Sequence, residues 1–117
     1  MKQSAEKDLA LLEEIISYCE TINGYLSSHK ATFEQFISNQ LLQDALIFNL
    51  YRIGEAVNNL TPDLKNKHTE IPWQEIVGTR IIIAHVYSDL DYDLTWNTLN
   101  KDMEPLISFC KRYLASH

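Results

Sequence analysis

The chain has 117 residues, with ten Lys or Arg against sixteen Asp or Glu and a formal net charge of −6. That length makes one domain, spanning 1–117, with enough interior to fold without disulfide or metal staples. The acidic balance argues against a protein that coats long stretches of nucleic acid, although not against a local basic site. Three scattered glycines exclude a P-loop or a dinucleotide fingerprint. No apolar run approaches the ~20 residues of a membrane span, and the polar start carries no signal-like apolar stretch, so a cytoplasmic protein is expected.

Strand signals are nearly absent, and the apolar residues fall instead at helical spacing. A first helix is expected from about Ser4 to Asn23. Leu9, Leu12, Ile16 and Cys19 form one row on it, and Leu11, Ile15, Tyr18 and Ile22 form the next. A face that wide touches two neighbours, and Gly24 follows at a plausible C-terminal cap position. Thr32-Phe33-Glu34-Gln35 has the form of a capping box opening a short helix. Asn39 is a candidate cap for the next helix, which runs to about Leu60. Its stripe is Leu42, Ala45, Leu46, Leu50, Ile53, Ala56, Val57 and Leu60, and a mixed face carries Phe48, Tyr51, Arg52 and Glu55. Thr61-Pro62 ends it, and residues up to Pro72 read as a loop with at most one short turn.

Pro72 opens a helix expected from Trp73 to about Tyr87. Asp93 is the expected cap of a last helix, with Trp96, Leu99, Met103, Leu106, Ile107, Cys110 and Leu114 along one side and Pro105 bending it. The sum is an all-α, up-and-down four-helix bundle with one extra short helix. Cys19 and Cys110 fit no metal or redox spacing and are read as reduced core residues. No metal site is expected. His29, His68 and His117 lack a second ligand at helical or turn spacing. Asp89, Asp91 and Asp93 alternate without the glycine and distal glutamate of a calcium loop.

The segment from Trp73 to Tyr87 breaks the pattern. Trp73, Ile76, Val77, Ile83 and Ala84 make its apolar face, Arg80 lies in the middle of that face, and Ile81, Ile82 and Val86 cover the other sides. Such a helix is either central or buried by a second chain. A buried arginine needs a partner. One reading is a structural ion pair, with Glu55 or Glu75 for instance, and the other is an anion site where Arg80 grips a phosphate. His85, five residues on and about 140° around the helix, can border the same cleft.

Gly78-Thr79-Arg80-Ile81-Ile82-Ile83-Ala84-His85-Val86-Tyr87 resembles the Arg-x4-His-x-Tyr signature of HepT toxins, which are small all-helical HEPN-domain proteins. Three other segments agree, in the right order. Arg52-Ile53-Gly54-Glu55-Ala56 is similar to that family's Ile-Gly-Glu-Ala segment. Ile71-Pro72-Trp73 is similar to its Pro-Trp approach to the motif, and Asp93-x-x-Trp96 with Pro105-Leu106 is similar to its last helix. The resemblance spans nearly the whole chain.

The resemblance implies a HEPN-like bundle acting as a homodimer or a higher oligomer. It implies a metal-independent endoribonuclease, with no cofactor, whose site lies in the dimer cleft. Arg80 and His85 of each subunit would be catalytic there, with Arg52 and Glu55 in supporting places. RNA, transfer RNA included, is the implied substrate. The implied partner is an antitoxin of the MntA type, a minimal nucleotidyltransferase that silences the toxin by moving AMP from ATP to Tyr87. One position departs from the pattern: the residue after the motif arginine, often Asn in the family, is Ile81. Two other readings stay open, a non-catalytic nucleotide- or partner-binding subunit of a nucleotidyltransferase and a structural dimer in which Arg80 only makes an ion pair.

Overall fold

The computed structural model describes residues 2–28, 31–79 and 91–117. Among these, seven helices follow one another: α1 (Lys2–Ser28), α2 (Phe33–Ser38), α3 (Gln40–Asn59), α4 (Pro62–Lys67), α5 (Trp73–Val77), α6 (Tyr92–Lys101) and α7 (Met103–Ser116). No described residue lies in a strand. The chain is an all-α bundle, as its periodicity requires.

α1 is the long wall of the bundle and packs along both α3 and α7. Leu12, Ile15, Cys19 and Ile22 turn inward from it, meeting Leu46, Leu50, Ile53 and Val57 of α3 and Leu106 and Cys110 of α7. Each of these is at most 1 % exposed. Burying one such side chain is worth about 1.5–3 kcal/mol, so the seam is the main source of stability. The direction of packing is fixed by polar pins. Asp8, near the start of α1, accepts from the Thr61 N–H at 2.9 Å and from its hydroxyl at 2.6 Å, just beyond the end of α3. α1 and α3 therefore run antiparallel. Further along α1, the Cys19 thiol approaches the Met103 sulfur at 4.0 Å, at the start of α7.

Both cysteines are free and buried, in agreement with the reading as reduced core residues. Burial pushes each thiol up to about 12, Cys110 adding to the effect on Cys19, so neither forms a thiolate nucleophile at neutral pH.

The local signals behave as the chemistry predicts at α2 and α3. The Thr32 hydroxyl accepts from the Gln35 N–H at 3.2 Å while the Gln35 side chain accepts from the Thr32 N–H at 3.3 Å, completing the capping box. Asn39 caps α3 through the Leu42 N–H at 3.1 Å. The buried Gln43 amide donates to the Phe36 carbonyl at 3.1 Å and ties α2 to α3. Phe36 also packs its ring against Trp96 at 5.4 Å and Tyr92 at 6.1 Å, fastening α6 to α2.

Four expectations need correction. Gly24 does not cap α1, which continues to Ser28. The half-buried Tyr25 and Leu26 pack against the core beyond it, which offsets the ~1 kcal/mol that glycine costs inside a helix. The segment after Thr61-Pro62 is more than a turn: Thr61 caps α4 through the Leu64 N–H at 3.3 Å, and Pro62 occupies the first turn where its missing N–H is harmless. Asp91, not Asp93, caps α6, its carboxylate accepting from the Leu94 N–H at 2.9 Å. Asp93 sits in the first turn, where its charge suits the helix dipole. The last helix is divided at Asp102. Pro105 has no N–H for the Lys101 carbonyl, where α6 ends. Asp102 nonetheless keeps helical angles, donates to the Thr98 carbonyl at 3.0 Å and accepts from the Leu106 N–H at 3.2 Å, so α7 follows α6 without a loop.

The division leaves Asp102 at the junction, only 3 % exposed, with Oδ2 lacking a hydrogen-bond partner among the described residues. Burial, with the neighbouring Glu75 carboxyl of α5 acting in the same direction and Lys101 opposing, raises its carboxyl to about 6. A folded-state value above the unfolded one means that the protonated group is favoured by folding. Its contribution is complete below about pH 4 and is lost as pH rises through about 6. Asp102→Asn removes the buried charge and lets an amide N–H face Glu75. The variant is expected to gain on the order of 1–3 kcal/mol at pH 7.5 and almost nothing at pH 4. Thermal unfolding of both proteins across this range checks it, and parallel pH profiles would contradict the assignment.

Candidate functional site

The approach to the Arg80 motif is built by α5 and the turn after it. Trp73 is buried, donates from its indole N–H to the His68 carbonyl at 2.8 Å, and meets the Phe109 ring edge-on at 5.5 Å. Ile76 is completely buried one turn later. Gly78 then closes α5, its N–H donating to the Gln74 carbonyl at 2.9 Å. The helix expected from Trp73 to about Tyr87 thus ends its described part at Val77. Arg80, His85 and Tyr87, together with Ile81 and the rest of that stretch, lie outside the described residues.

The last described position before the motif, Thr79, is only 4 % exposed, and it is anchored. Its hydroxyl lies 2.7 Å from the Ile76 carbonyl and 3.3 Å from the Leu50 carbonyl, on the neighbouring α3. In a regular helix the Leu50 carbonyl pairs with the Gly54 N–H. Thr79, the last described residue before the motif, is therefore held beside the middle of α3.

Arg52 and Glu55, the two supporting residues read from the sequence, both lie on the outer side of α3, away from the core seam. Arg52 is exposed, and its guanidinium carbon sits 4.3 Å from the centre of the Tyr18 ring and 5.3 Å from that of Phe48. Neither of the two ion pairs among the described residues includes it. Glu55 is half-buried. Both line a shallow groove of about 240 Å³ between α1 and α3, with Leu11, Glu14, Tyr18 and Asn59 among the other walls. The groove is of mixed charge, with one guanidinium held between rings and two carboxylates on its other side.

Glu75, one of the two ion-pair partners considered for Arg80, stands beside the Asp102 carboxyl.

The sequence reading missed two features. One is the Asp8–Thr61 lock. The other is a knot of rings where α4, α5 and α7 meet: His68 lies 4.9 Å from Phe109 and 5.7 Å from Tyr113. The sequence places Trp73 on an apolar face, but it gives Phe109 no role and pairs nothing on α7 with His68. Lys65 is occupied structurally, its ammonium donating to the Val57 carbonyl at 3.1 Å at the end of α3, and burial lowers its pKa against the opposing pull of Asp8. Among the described residues no three His, Cys, Asp or Glu side chains gather as metal ligands. No helix among them is long and apolar enough to cross a membrane.

Comparison with known proteins agrees with this geometry. The family model described as "Ribonuclease HepT-like" matches residues 9–113. "Putative RNase TTE0752" of Caldanaerobacter subterraneus subsp. tengcongensis is 34 % identical over 103 residues, covering 88 % of this chain and 90 % of that protein. "Probable ribonuclease HepT" of Thermococcus cleftensis is 35 % identical over 95 residues, covering 81 % and 84 %. "Putative RNase MJ0125" of Methanocaldococcus jannaschii is 32 % identical over 105 residues, covering 84 % and 89 %. No solved structure gives a significant match. With the helical bundle, the anchored approach to Arg80-x4-His85-x-Tyr87 and a family match over almost the full length, the chain belongs to the HepT-like ribonuclease family.

Proposed function

We propose that this protein is a toxin endoribonuclease that cleaves RNA without a metal ion, at a cleft shared by two copies of the chain. The observation that carries the reading is Arg80-x4-His85-x-Tyr87 in a chain of the HepT-like ribonuclease family, directly after the Thr79 anchor.

RNA carries its own nucleophile, so the protein need supply only proton transfer and charge stabilisation. The 2′-oxygen forms a bond to phosphorus and its proton passes to one His85 imidazole acting as base. The bond from phosphorus to the 5′-oxygen breaks, and that oxygen takes a proton from a second imidazole acting as acid. Arg80 stabilises the negative charge that gathers on the phosphoryl oxygens. Arg52 and Glu55, on the outer ridge of α3, are supporting rather than reacting groups. Transfer RNA is a suitable substrate because its loops expose unpaired, flexible phosphodiesters.

The regulatory half of the proposal concerns Tyr87. An MntA-type nucleotidyltransferase would join the Tyr87 phenol oxygen to the α-phosphate of ATP and release pyrophosphate. The product places a bulky anion two residues from His85, which fills the cleft and repels RNA. Ile81, apolar where relatives often have Asn, favours a second reading in which this chain is a non-catalytic partner or nucleotide-binding subunit of such an enzyme.

His85→Ala is expected to lower the rate of cleavage of transfer RNA in EDTA by at least about 100-fold. Circular dichroism and the sedimentation coefficient should remain those of the parent. Equal, negligible cleavage by parent and variant, with Tyr87 shown to be bare by mass spectrometry, would move the assignment to the second reading. Co-expression with an MntA-type nucleotidyltransferase is expected to add one adenylyl mass to the chain and none to Tyr87→Phe. An adduct that persists in Tyr87→Phe would place the modification elsewhere.

A further inference from the structure

The outer ridge of α3 is unusually apolar for a surface that none of the described elements covers. Leu41 is 82 % exposed and Phe48, seven residues on and so on the same face, is 54 % exposed. Arg52, one turn beyond Phe48, lies over the rings of Phe48 and Tyr18. The packing of the core gives no reason for a phenyl ring to stand in water, whereas its position beside the guanidinium does.

The two rings remove much of the freedom of a long cationic side chain. Aromatic faces attract the guanidinium plane, and a plane held against them still offers N–H groups at its edge. Those edge donors are the ones that fork onto a phosphate. Lys65 is spent on the end of α3 and Lys67 pairs with Asp63 at 3.1 Å, and Arg52 is the described cation that lies over two rings. In a chain of net charge −6, a nuclease must concentrate its positive potential locally.

The surroundings give the site a direction. Glu55 lies three residues beyond Arg52 and Glu14 one turn before Tyr18, so both carboxylates border the Asn59 end of the groove. Phe48 and Leu41 lie at the other end. A phosphate is repelled from the first side and accepted on the second, where a base can stack on the open face of Phe48. Arg52 follows Leu50, whose carbonyl anchors Thr79, by two residues, which is about 3 Å along the axis and about 200° around it, so it stands on the opposite side of α3 from that anchor.

We propose that Arg52, held between Tyr18 and Phe48, is a backbone-phosphate subsite for single-stranded RNA, with Phe48 as the stacking surface for an adjoining base. The proposal rests on the ribonuclease reading and extends it: a single strand of RNA is held along the outer ridge of α3. A single guanidinium with an exposed ring suits single strands, in which phosphate and base are both accessible. A second copy of the chain suits the ridge less well, because it would bury an arginine charge whose nearest carboxylates lie on the wrong side.

The test uses the full-length chain and a fluorescent, 2′-O-methylated single-stranded RNA that cannot be cut, read by anisotropy over a range of salt. Arg52→Ala is expected to weaken binding about tenfold and to lower the salt slope by about one. Arg52→Lys should lose most of the same affinity, because an ammonium cannot lie flat between two rings. Phe48→Leu should weaken binding several-fold and leave the salt slope unchanged. Cleavage of unmodified RNA and the sedimentation coefficient are measured on the same samples. Parental affinity in Arg52→Ala and Phe48→Leu, with RNA still cut, overturns the subsite and leaves the nuclease. Variants that bind poorly only because they fall apart into monomers overturn it in favour of a contact between copies. A parent chain that neither binds nor cuts RNA overturns both readings.

Discussion

α3 must hide most of its circumference, and the rest of the bundle is arranged by that requirement. Leu46, Leu50, Ile53 and Val57 leave water together only if neighbours approach from more than one side. α1 supplies one of them, α2 and α5 the others. What stays uncovered is the ridge through Leu41, Phe48 and Arg52. The same burial that stabilises the fold thus fixes which side of α3 is left to meet anything else. It also sets where α5 can end, since Thr79 finds a carbonyl partner only on this helix and on its own preceding turn.

Two polar or aromatic pins turn this packing into a defined register. Asp8 on Thr61 holds the start of α1 against the end of α3, leaving α1 free to lie along α7. The knot of His68, Trp73, Phe109 and Tyr113 holds the α4–α5 connection against α7. Between them they bring α5 down onto α3 at a set angle. The chain is therefore held firmly as far as Thr79, the last described residue before the motif. Asp102 is the exception in this support. Its buried, proton-holding carboxyl beside Glu75 makes the α5–α6–α7 junction less favourable as pH rises through about 6.

Much of this was legible in the sequence, for identifiable reasons. Period and capping chemistry are local, so the α2 capping box, the Asn39 cap and the stripe of α3 could be read directly. The family resemblance rested on four short segments in order, and it found the family without reference to packing. What could not be read was set by tertiary contacts. Gly24 stays helical because Tyr25 and Leu26 have a core to reach. Asp91 outcompetes Asp93 as a cap although the two look alike in sequence. Pro105 was seen, but whether it bends or breaks a helix depends on what can hold the two pieces. Of the site residues, Arg52 and Glu55 could be placed on one outer face from spacing alone. The stacking of Arg52 on Tyr18 joins residues 34 apart in the chain, and no local pattern announces it.

The account makes a helical frame the carrier of a small reaction in which RNA supplies the nucleophile and the protein supplies an arginine and a histidine. That claim has a chemical signature independent of rate, fold or partner. The most direct measurement is the identity of the ends left on RNA by the purified chain in EDTA. The account predicts a 2′,3′-cyclic phosphate on one fragment and a 5′-hydroxyl on the other, because the attacking oxygen belongs to the RNA. A 3′-hydroxyl with a 5′-phosphate would mean that water had attacked instead, and would contradict it.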